Sequence, residues 1–284
     1  SAIYRMLGGL PLALEIAGAF LEEWPEVSLG GFRQRLHREG RLATLDAEGE
    51  DLPAGSLHGI HAAAVAATLG EQWDALVAGK QADEDARLLL RVAGQLPEAA
   101  QIPIARLGLL SGLSHKPAAG GPSRLDRALR RLARASLIEE LRSGELRLHP
   151  LVREFAAGKT DAEGLAALRR ACALNLLGAY QDVSELERQC AERGVDALEV
   201  DLQTASVLLP GGDYAEAFAA MLQQLLRMVQ LESHTLRGWN QAQQPALFLQ
   251  QWHKCALISC ELQQAEAALV RLAELEVPYL ALHW

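Results

Sequence analysis

Apolar residues recur at helical spacing along most of this chain. Leu10, Leu14, Ala17 and Leu21 follow one another at intervals of four, three and four residues, which places them on one face of a helix over 7–23. Pro11 suits the first turn of that helix, where a missing N–H costs nothing. The same kind of pattern predicts further helices at 29–45, 58–79, 83–95 and 103–110, and again in short stretches across 161–284.

A well-marked helix is predicted over 123–135. Ser123 stands at its start as the N-cap, and Asp126 follows three residues later, close to the pattern of a capping box. Leu125, Leu129 and Leu132 form the apolar stripe that this helix would bury. An acidic run, Asp83-Glu84-Asp85, similarly predicts the start of the helix at 83, because carboxylates are favoured at the positive end of a helix.

After the helix predicted over 123–135, the spacing of apolar residues changes to the two-residue alternation that is typical of β-strands. Alternating stretches at 137–142 and 145–149 flank Ser143-Gly144, a pattern typical of a β-hairpin with a two-residue turn. The predicted register pairs Arg142 with Glu145, Leu141 with Leu146, and Glu140 with Arg147, so that opposite charges and two leucines meet.

This order of elements predicts a mainly α protein with three parts. Residues 1–55 form a helical bundle that ends in the acidic, Gly- and Pro-containing linker 46–55. Residues 56–158, with helices followed by a hairpin, form a winged helix-turn-helix domain. Residues 159–284 form an α-solenoid of helices similar to tetratricopeptide (TPR) repeats, although no strict repeat period is present.

Composition narrows the range of functions. The net charge of the chain is -9, which disfavours general binding to nucleic acid. The four cysteines form no CxxC pair, which is typical of reduced thiols in a cytoplasmic protein. No apolar run reaches the length of a membrane-spanning helix, so we expect no membrane association.

Candidate catalytic and metal sites are incomplete. Gly158-Lys159-Thr160 resembles the end of a phosphate loop, but Arg153 stands where that loop needs glycine. Two other sets of residues lack the spacing of zinc ligands, so we expect no metal site; they are His58 with His61, and His253 with Cys255 and Cys260. Since no GxSxG nucleophile motif is present either, we expect no enzymatic activity from this chain.

The predicted helix 123–135 carries a basic face. Arg124, Arg127, Arg131 and Arg134 recur at helical spacing, with Arg130 beside them. On the second helix of a winged helix-turn-helix this face could enter the major groove of DNA. The simpler alternative is that the arginines are solvated or contact another domain, since the face lacks the Asn, Gln or Ser residues that read bases.

Two segments resemble motifs of one family. Gly8-Gly9-Leu10-Pro11-Leu12-Ala13-Leu14 resembles the GLPLAL motif of NB-ARC ATPases, which belong to the STAND class of signalling switches. Leu148-His149-Pro150-Leu151-Val152-Arg153-Glu154-Phe155 resembles the MHD-like segment at the end of the winged helix in the same family. Leu151 stands where that motif has aspartate, although bacterial members that this chain resembles often carry His-Pro-Leu.

The resemblance implies a role for two residues. Pro11 would lie against a bound adenine nucleotide, and His149 would reach toward the β-phosphate of ADP and hold the inactive state closed. A nucleotide-binding domain with a phosphate loop would precede Ser1 in a longer parent protein, which would be a slow ATPase that binds ADP or ATP. This chain by itself is expected to bind no nucleotide tightly.

The resemblance also implies partners. The C-terminal helices would sense a protein or small-molecule ligand, the upstream nucleotide-binding domain would pack on this chain, and activation would expose surfaces for self-oligomerisation. Two alternatives stay open from the residues themselves. One is a winged-helix transcription regulator that binds DNA through the arginine-rich helix, and the other is a helical scaffold for protein–protein interaction.

Overall fold

A computed structural model describes residues 25–34, 67–96, 101–113, 121–140, 144–209 and 215–279, with a few isolated positions before them. These residues are mainly helical, which confirms the prediction that the protein is mainly α. Most of the predicted helix 7–23, including Pro11, and the whole predicted linker 46–55 lie outside the described residues. The chain divides into two compact units, the first formed by 1–108 and 113–161 and the second by 109–112 and 162–284.

The first unit begins with helical residues at 29–34 and 67–74. After them come, in chain order, α1 (Gln81–Gln95), β1 (Gln101–Pro103), α2 (Ile104–Ser111), α3 (Arg124–Arg134), β2 (Glu139–Glu140), β3 (Glu145–Arg147) and α4 (Pro150–Ala157). Residues of α2 from 109 onward group with the second unit.

Local interactions explain why α1 and α3 begin where they do. Asp83 in the first turn of α1 accepts a hydrogen bond from the backbone N–H of Val77 at 3.0 Å, and Glu84 accepts one from Gly79 at 3.0 Å. The acidic residues predicted at the start of this helix lie in its first turn. The helix itself begins at Gln81, two residues earlier than predicted. The capping box at the start of α3 is confirmed, since Ser123 accepts from the backbone of Asp126 and the Asp126 carboxylate accepts from Ser123.

The core of the first unit forms where α1 packs against α3 and α4. Leu89 and Leu90 of α1 and Leu125 and Leu132 of α3 are buried there. The approach of α1 to α4 is close, because a Cβ atom built on Gly94 would lie 3.1 Å from the backbone nitrogen of Ala157.

The three strands form one antiparallel sheet in the order β1-β3-β2. The predicted antiparallel pairing of these two strands is confirmed, but the predicted register is wrong by one residue: Arg147 lies opposite Glu139, and Leu146 lies opposite Glu140. The predicted partners Leu141 and Arg142 and the predicted turn residue Ser143 lie outside the described residues. Gly144, which follows them, has a φ of 77°.

The second unit is helical in its described residues. Its helices are α5 (Ala162–Gln181), α6 (Val183–Arg193), α7 (Val195–Leu208), α8 (Ala215–Leu236), α9 (Leu247–Ile258) and α10 (Leu262–Glu274). Helices that follow one another pack together, and α6 also packs against α10. The apolar residues Phe248, Trp252 and Cys255 of α9 are buried, and the rings of Phe248 and Trp252 stack with centroids 6.0 Å apart. Within the described parts of both units, no helix is long and apolar enough to cross a membrane.

Candidate functional site

His149 lies between the hairpin and the last helix of the first unit. Its side chain is exposed, whereas Leu146 and Leu148 on the alternate positions of the same segment are buried. Its backbone carbonyl accepts a hydrogen bond from the N–H of Arg153 at 3.0 Å, so His149 also starts α4. The side chain of His149 therefore lies away from these buried leucines. Its contact with a nucleotide stays a prediction, and Pro11 lies outside the described residues.

Two arginines of the predicted basic face are turned toward the protein itself. Arg124 forms a two-pronged ion pair with Asp85 of α1, with Nε 3.0 Å from Oδ2 and Nη2 2.6 Å from Oδ1. Arg131 donates from Nε to Asp83 of α1 and from Nη2 to the carbonyl of Ala75 at 3.1 Å. The acidic start of α1 therefore binds the arginine side of α3.

These ion pairs differ in exposure. Both carboxylates are almost fully buried, but the Arg124 side chain is 47% exposed and that of Arg131 is 16% exposed. Burial alone would raise the pKa of the Asp85 carboxyl, but the hydrogen bonds from Arg124 and Gln81 hold that pKa below its usual range. The bond to Asp85 raises the pKa of Arg124, while burial, aided by the charge of Arg134, lowers the pKa of Arg131.

The other arginines of this face remain at the surface. Arg127, Arg130 and Arg134 are exposed, and Arg127 donates from Nη1 to the carbonyl of Pro122 at 3.2 Å. The interaction face predicted from Arg124, Arg127, Arg131 and Arg134 is thus divided by the fold: Arg124 and Arg131 form ion pairs with carboxylates of α1, and Arg127 and Arg134 are exposed. An acidic molecule approaching α3 would meet Arg127, Arg130 and Arg134 first.

The Gly158-Lys159-Thr160 segment follows a helix, as the sequence indicated, and not a strand. The Nζ atom of Lys159 lies 4.5 Å from the ring centroid of Phe155 and 5.8 Å from that of Trp73. The guanidinium of Arg87 lies 5.1 Å from the same Trp73 ring, and the two aromatic rings meet edge to face at 6.3 Å. This cluster was not predictable from the sequence, because Trp73, Arg87 and Lys159 are far apart in the chain.

The residues considered as metal ligands do not form a site where the structure describes them. Among the described residues, no group of His, Cys, Asp and Glu side chains could hold a metal ion. Nδ1 of His253 lies 3.0 Å from the carbonyl oxygen of Ala265, and Cys255 is buried, which raises the pKa of its thiol to about 11. His58 and His61 lie outside the described residues.

The second unit contains buried polar contacts that were also not predicted from the sequence. Tyr180 donates its hydroxyl to Asp201 at 2.5 Å, and Arg193 donates to the same carboxylate. Glu187 of α6 accepts from Arg271 of α10 at 3.3 Å, which joins two helices that are distant in sequence. Asp201 and Glu187 each lie at a helix position where an apolar residue would be expected. This is the only feature of the sequence that indicates these contacts.

An open groove of about 310 Å³ lies in the second unit. Its apolar walls are formed by Leu177, Met221, Leu225 and Met228. Its polar residues are largely bound to the protein: Gln224 donates to the carbonyl of Ser259 at 3.0 Å, and Gln264 donates to that of Gln181 at 2.8 Å.

Comparisons with models of protein families, with curated proteins and with solved structures find no match to this chain.

Proposed function

We propose that this chain is the regulatory part of an NB-ARC-type STAND switch that couples the state of an adenine nucleotide to ligand sensing and oligomerisation. In this proposal the nucleotide-binding domain precedes the chain in the native protein. The first unit contributes a winged helix, and the helices of the second unit form a TPR-like sensor. The observation that carries the proposal is the Leu148-His149-Pro150 segment, with His149 exposed at the end of the hairpin.

The order of elements in the first unit supports this interpretation. A helix, a short strand, two helices and a hairpin follow one another as α1, β1, α2, α3, β2 and β3, and the first strand pairs with the hairpin. That is the order of a winged helix-turn-helix module. The exposed His149 follows this module directly, at the place where the family motif has its histidine.

The proposed mechanism is a shift between two packed states. In the inactive state His149 donates to the β-phosphate of ADP and holds the winged helix against the nucleotide-binding domain. Activation rotates the winged helix away and exposes surfaces for self-association, so the nucleotide and the ligand bias one equilibrium between two arrangements. The ion pairs of Arg124 and Arg131 with α1 support rotation of α1 and α3 as one body.

DNA binding is the second candidate function. The exposed Arg127, Arg130 and Arg134 favour it, since they form a basic surface on the helix that enters the major groove in winged-helix DNA-binding proteins. The internal pairing of Arg124 and Arg131 disfavours it, because these two cations are already neutralised by carboxylates. Binding to duplex DNA that weakens steeply with salt, and that the change of Arg127 and Arg130 to alanine abolishes, would favour this candidate.

The switch is tested by changing His149 to alanine in the full-length native protein. Loss of a hydrogen bond to a charged phosphate should weaken ADP binding by roughly tenfold or more. We therefore expect less ADP in the purified protein and a larger oligomeric fraction, measured by nucleotide chromatography and by light scattering. The control is Arg147→Ala, which removes another exposed side chain on the same hairpin.

Two results would contradict the switch. One is a native protein without a GxxxxGK[ST] phosphate loop ahead of residue 1. The other is a His149→Ala protein with the same ADP content and oligomeric state as the Arg147→Ala control.

A further inference from the structure

Three basic side chains gather on the flank of α1 that faces the end of α4. Arg87 and Arg91 are one helical turn apart on α1, so their side chains are neighbours on its surface. The close approach at Gly94 brings the end of α4 against the same flank, and Lys159 follows α4 directly. Arg87 and Lys159 both lie against the ring of Trp73, which fixes their positions in one patch.

Buried donors in this patch have no acceptor within the part of the chain that the structure describes. They are the Nε atoms of Arg87 and Arg91 and the hydroxyl oxygen of Thr160. Buried polar atoms in folded proteins are nearly always hydrogen-bonded, so these donors are available to water or to a bound anion. Thr160 directly follows Lys159 in the chain, so its buried hydroxyl is the nearest unpaired neutral donor in sequence to that cation.

The charges of the patch are not neutralised by the protein. No carboxylate of the described residues forms an ion pair with Arg87, Arg91 or Lys159. On the same helix, Asp83 and Asp85 neutralise Arg131 and Arg124. The carboxylates at the start of α1 are therefore bound to arginines of α3, and Arg87 and Arg91 of α1 have no carboxylate partner among the described residues.

We propose that Arg87, Arg91, Lys159 and Thr160 form a binding site for a phosphate group. A phosphate monoester carries close to two negative charges at neutral pH and three acceptor oxygens, which suits three cations and a hydroxyl. A carboxylate carries one charge and two oxygens, so it would leave part of this site unused. The site lies outside the segments that suggested the nucleotide switch, and it does not depend on that proposal.

The test uses Trp73 as a reporter beside the site. The chain is labelled with fluorotryptophan, the Trp73 resonance is assigned by its loss in Trp73→Phe, and ¹⁹F spectra are recorded during titration with sodium phosphate. Sodium acetate at the same ionic strength is the reference. We expect a saturable shift of the Trp73 resonance with phosphate and none with acetate, because only phosphate matches the charge of the site.

Variants locate the binding. Lys159→Ala and Arg91→Gln should each lower phosphate affinity by roughly tenfold, since each removes a hydrogen bond to a charged group. Arg91→Lys keeps the charge and should retain most of the affinity, which separates loss of the site from loss of folding. Arg130→Ala, at an exposed arginine of α3 in the same unit, is the matched control and should leave phosphate affinity unchanged.

Inorganic phosphate and ADP are compared in the same titration. Equal affinities would identify a site for the phosphate group alone, whereas tighter binding of ADP would identify a site that also contacts the base or ribose; both results support the proposal. A Trp73 resonance that does not saturate with phosphate, or that responds equally to acetate, would overturn it. So would an Arg130→Ala variant that loses as much affinity as Lys159→Ala.

Discussion

Both units join their helices through buried carboxylates, but the two arrangements differ in what surrounds the cation. In the first unit Asp83 and Asp85 each bind a separate arginine, and Arg131 has the carbonyl of Ala75 as a further partner. In the second unit the fully buried Asp201 binds both Tyr180 and Arg193. Nε and Nη1 of Arg193 are buried without any hydrogen-bond partner. Asp201 is therefore the main group that neutralises the charge of Arg193, a side chain that is almost inaccessible to water.

This difference predicts unequal consequences when a carboxylate is lost. An exposed cation that loses its partner is rehydrated at little cost, whereas a buried one keeps its desolvation penalty. Tyr180 depends on the same carboxylate. Burial and the negative charge of Asp201 raise the pKa of the Tyr180 hydroxyl, so this hydroxyl stays neutral and donates a hydrogen bond to Asp201.

The largest effect is expected for Asp201→Ala. The change leaves Arg193, which is 14% exposed, as an uncompensated charge and removes the acceptor of the Tyr180 hydroxyl. The free energy of unfolding should fall by about 3–5 kcal/mol. Urea denaturation followed by tryptophan fluorescence measures the loss, and hydrogen exchange should show lower protection in peptides of the second unit than in those of the first.

The matched control lies on the same helix. Asp196 of α7 also pairs with an arginine, Arg237, but the two side chains are 67% and 58% exposed. Asp196→Ala should therefore cost less than about 1 kcal/mol. Equal losses for Asp201→Ala and Asp196→Ala would show that burial of the cation does not govern the cost.

An intermediate effect is expected for Asp83→Ala in the first unit. The change removes the acceptor of both Arg131 and the backbone N–H of Val77, so the free energy of unfolding should fall by about 2–3 kcal/mol. Asp85→Ala should cost less, because its partner Arg124 is 47% exposed and can be hydrated in place. Thermal and urea unfolding of the two variants measure the difference, and a larger loss for Asp85→Ala would contradict this ranking.

The smallest expected effect is a change in how the free energy of unfolding depends on pH. Since the pKa of Asp85 is lowered in the folded state, its stabilising contribution is complete above the pKa of the unfolded chain and is lost as the pH falls through the lower, folded value. Stability should thus be flat near neutral pH and decline in the acid range. Asp85→Asn should reduce that decline, as measured by urea midpoints across the acid range, and an unchanged decline would assign it to other carboxylates.

Features set by neighbouring residues were predictable from the sequence. The capping box of Ser123 and Asp126 and the buried stripe of α3 depend on contacts within one or two turns, and both are present. The exposure of His149 followed from alternation along the hairpin, which does not depend on which residues lie opposite one another.

Features set by distant residues were not predictable. The strand β1 consists of three residues without a periodic pattern, and it forms because β3 offers hydrogen bonds to it. The acidic start of α1 and the basic face of α3 were both visible in the sequence, but their pairing spans 39 and 48 residues. The patch around Trp73 likewise requires that α4 end beside α1.

The contact at Gly94 limits which motions the first unit can make. A single Cβ at this position would lie 3.2 Å from the Cβ of Ala156 and 3.3 Å from the carbonyl oxygen of Arg153, so there is no layer of side chains between α1 and α4 at that point. Sliding of packed helices usually proceeds by small rearrangements of such side chains. Without them, shear would force backbone atoms past one another. We therefore expect the two helices to move together, with any hinge outside the pair.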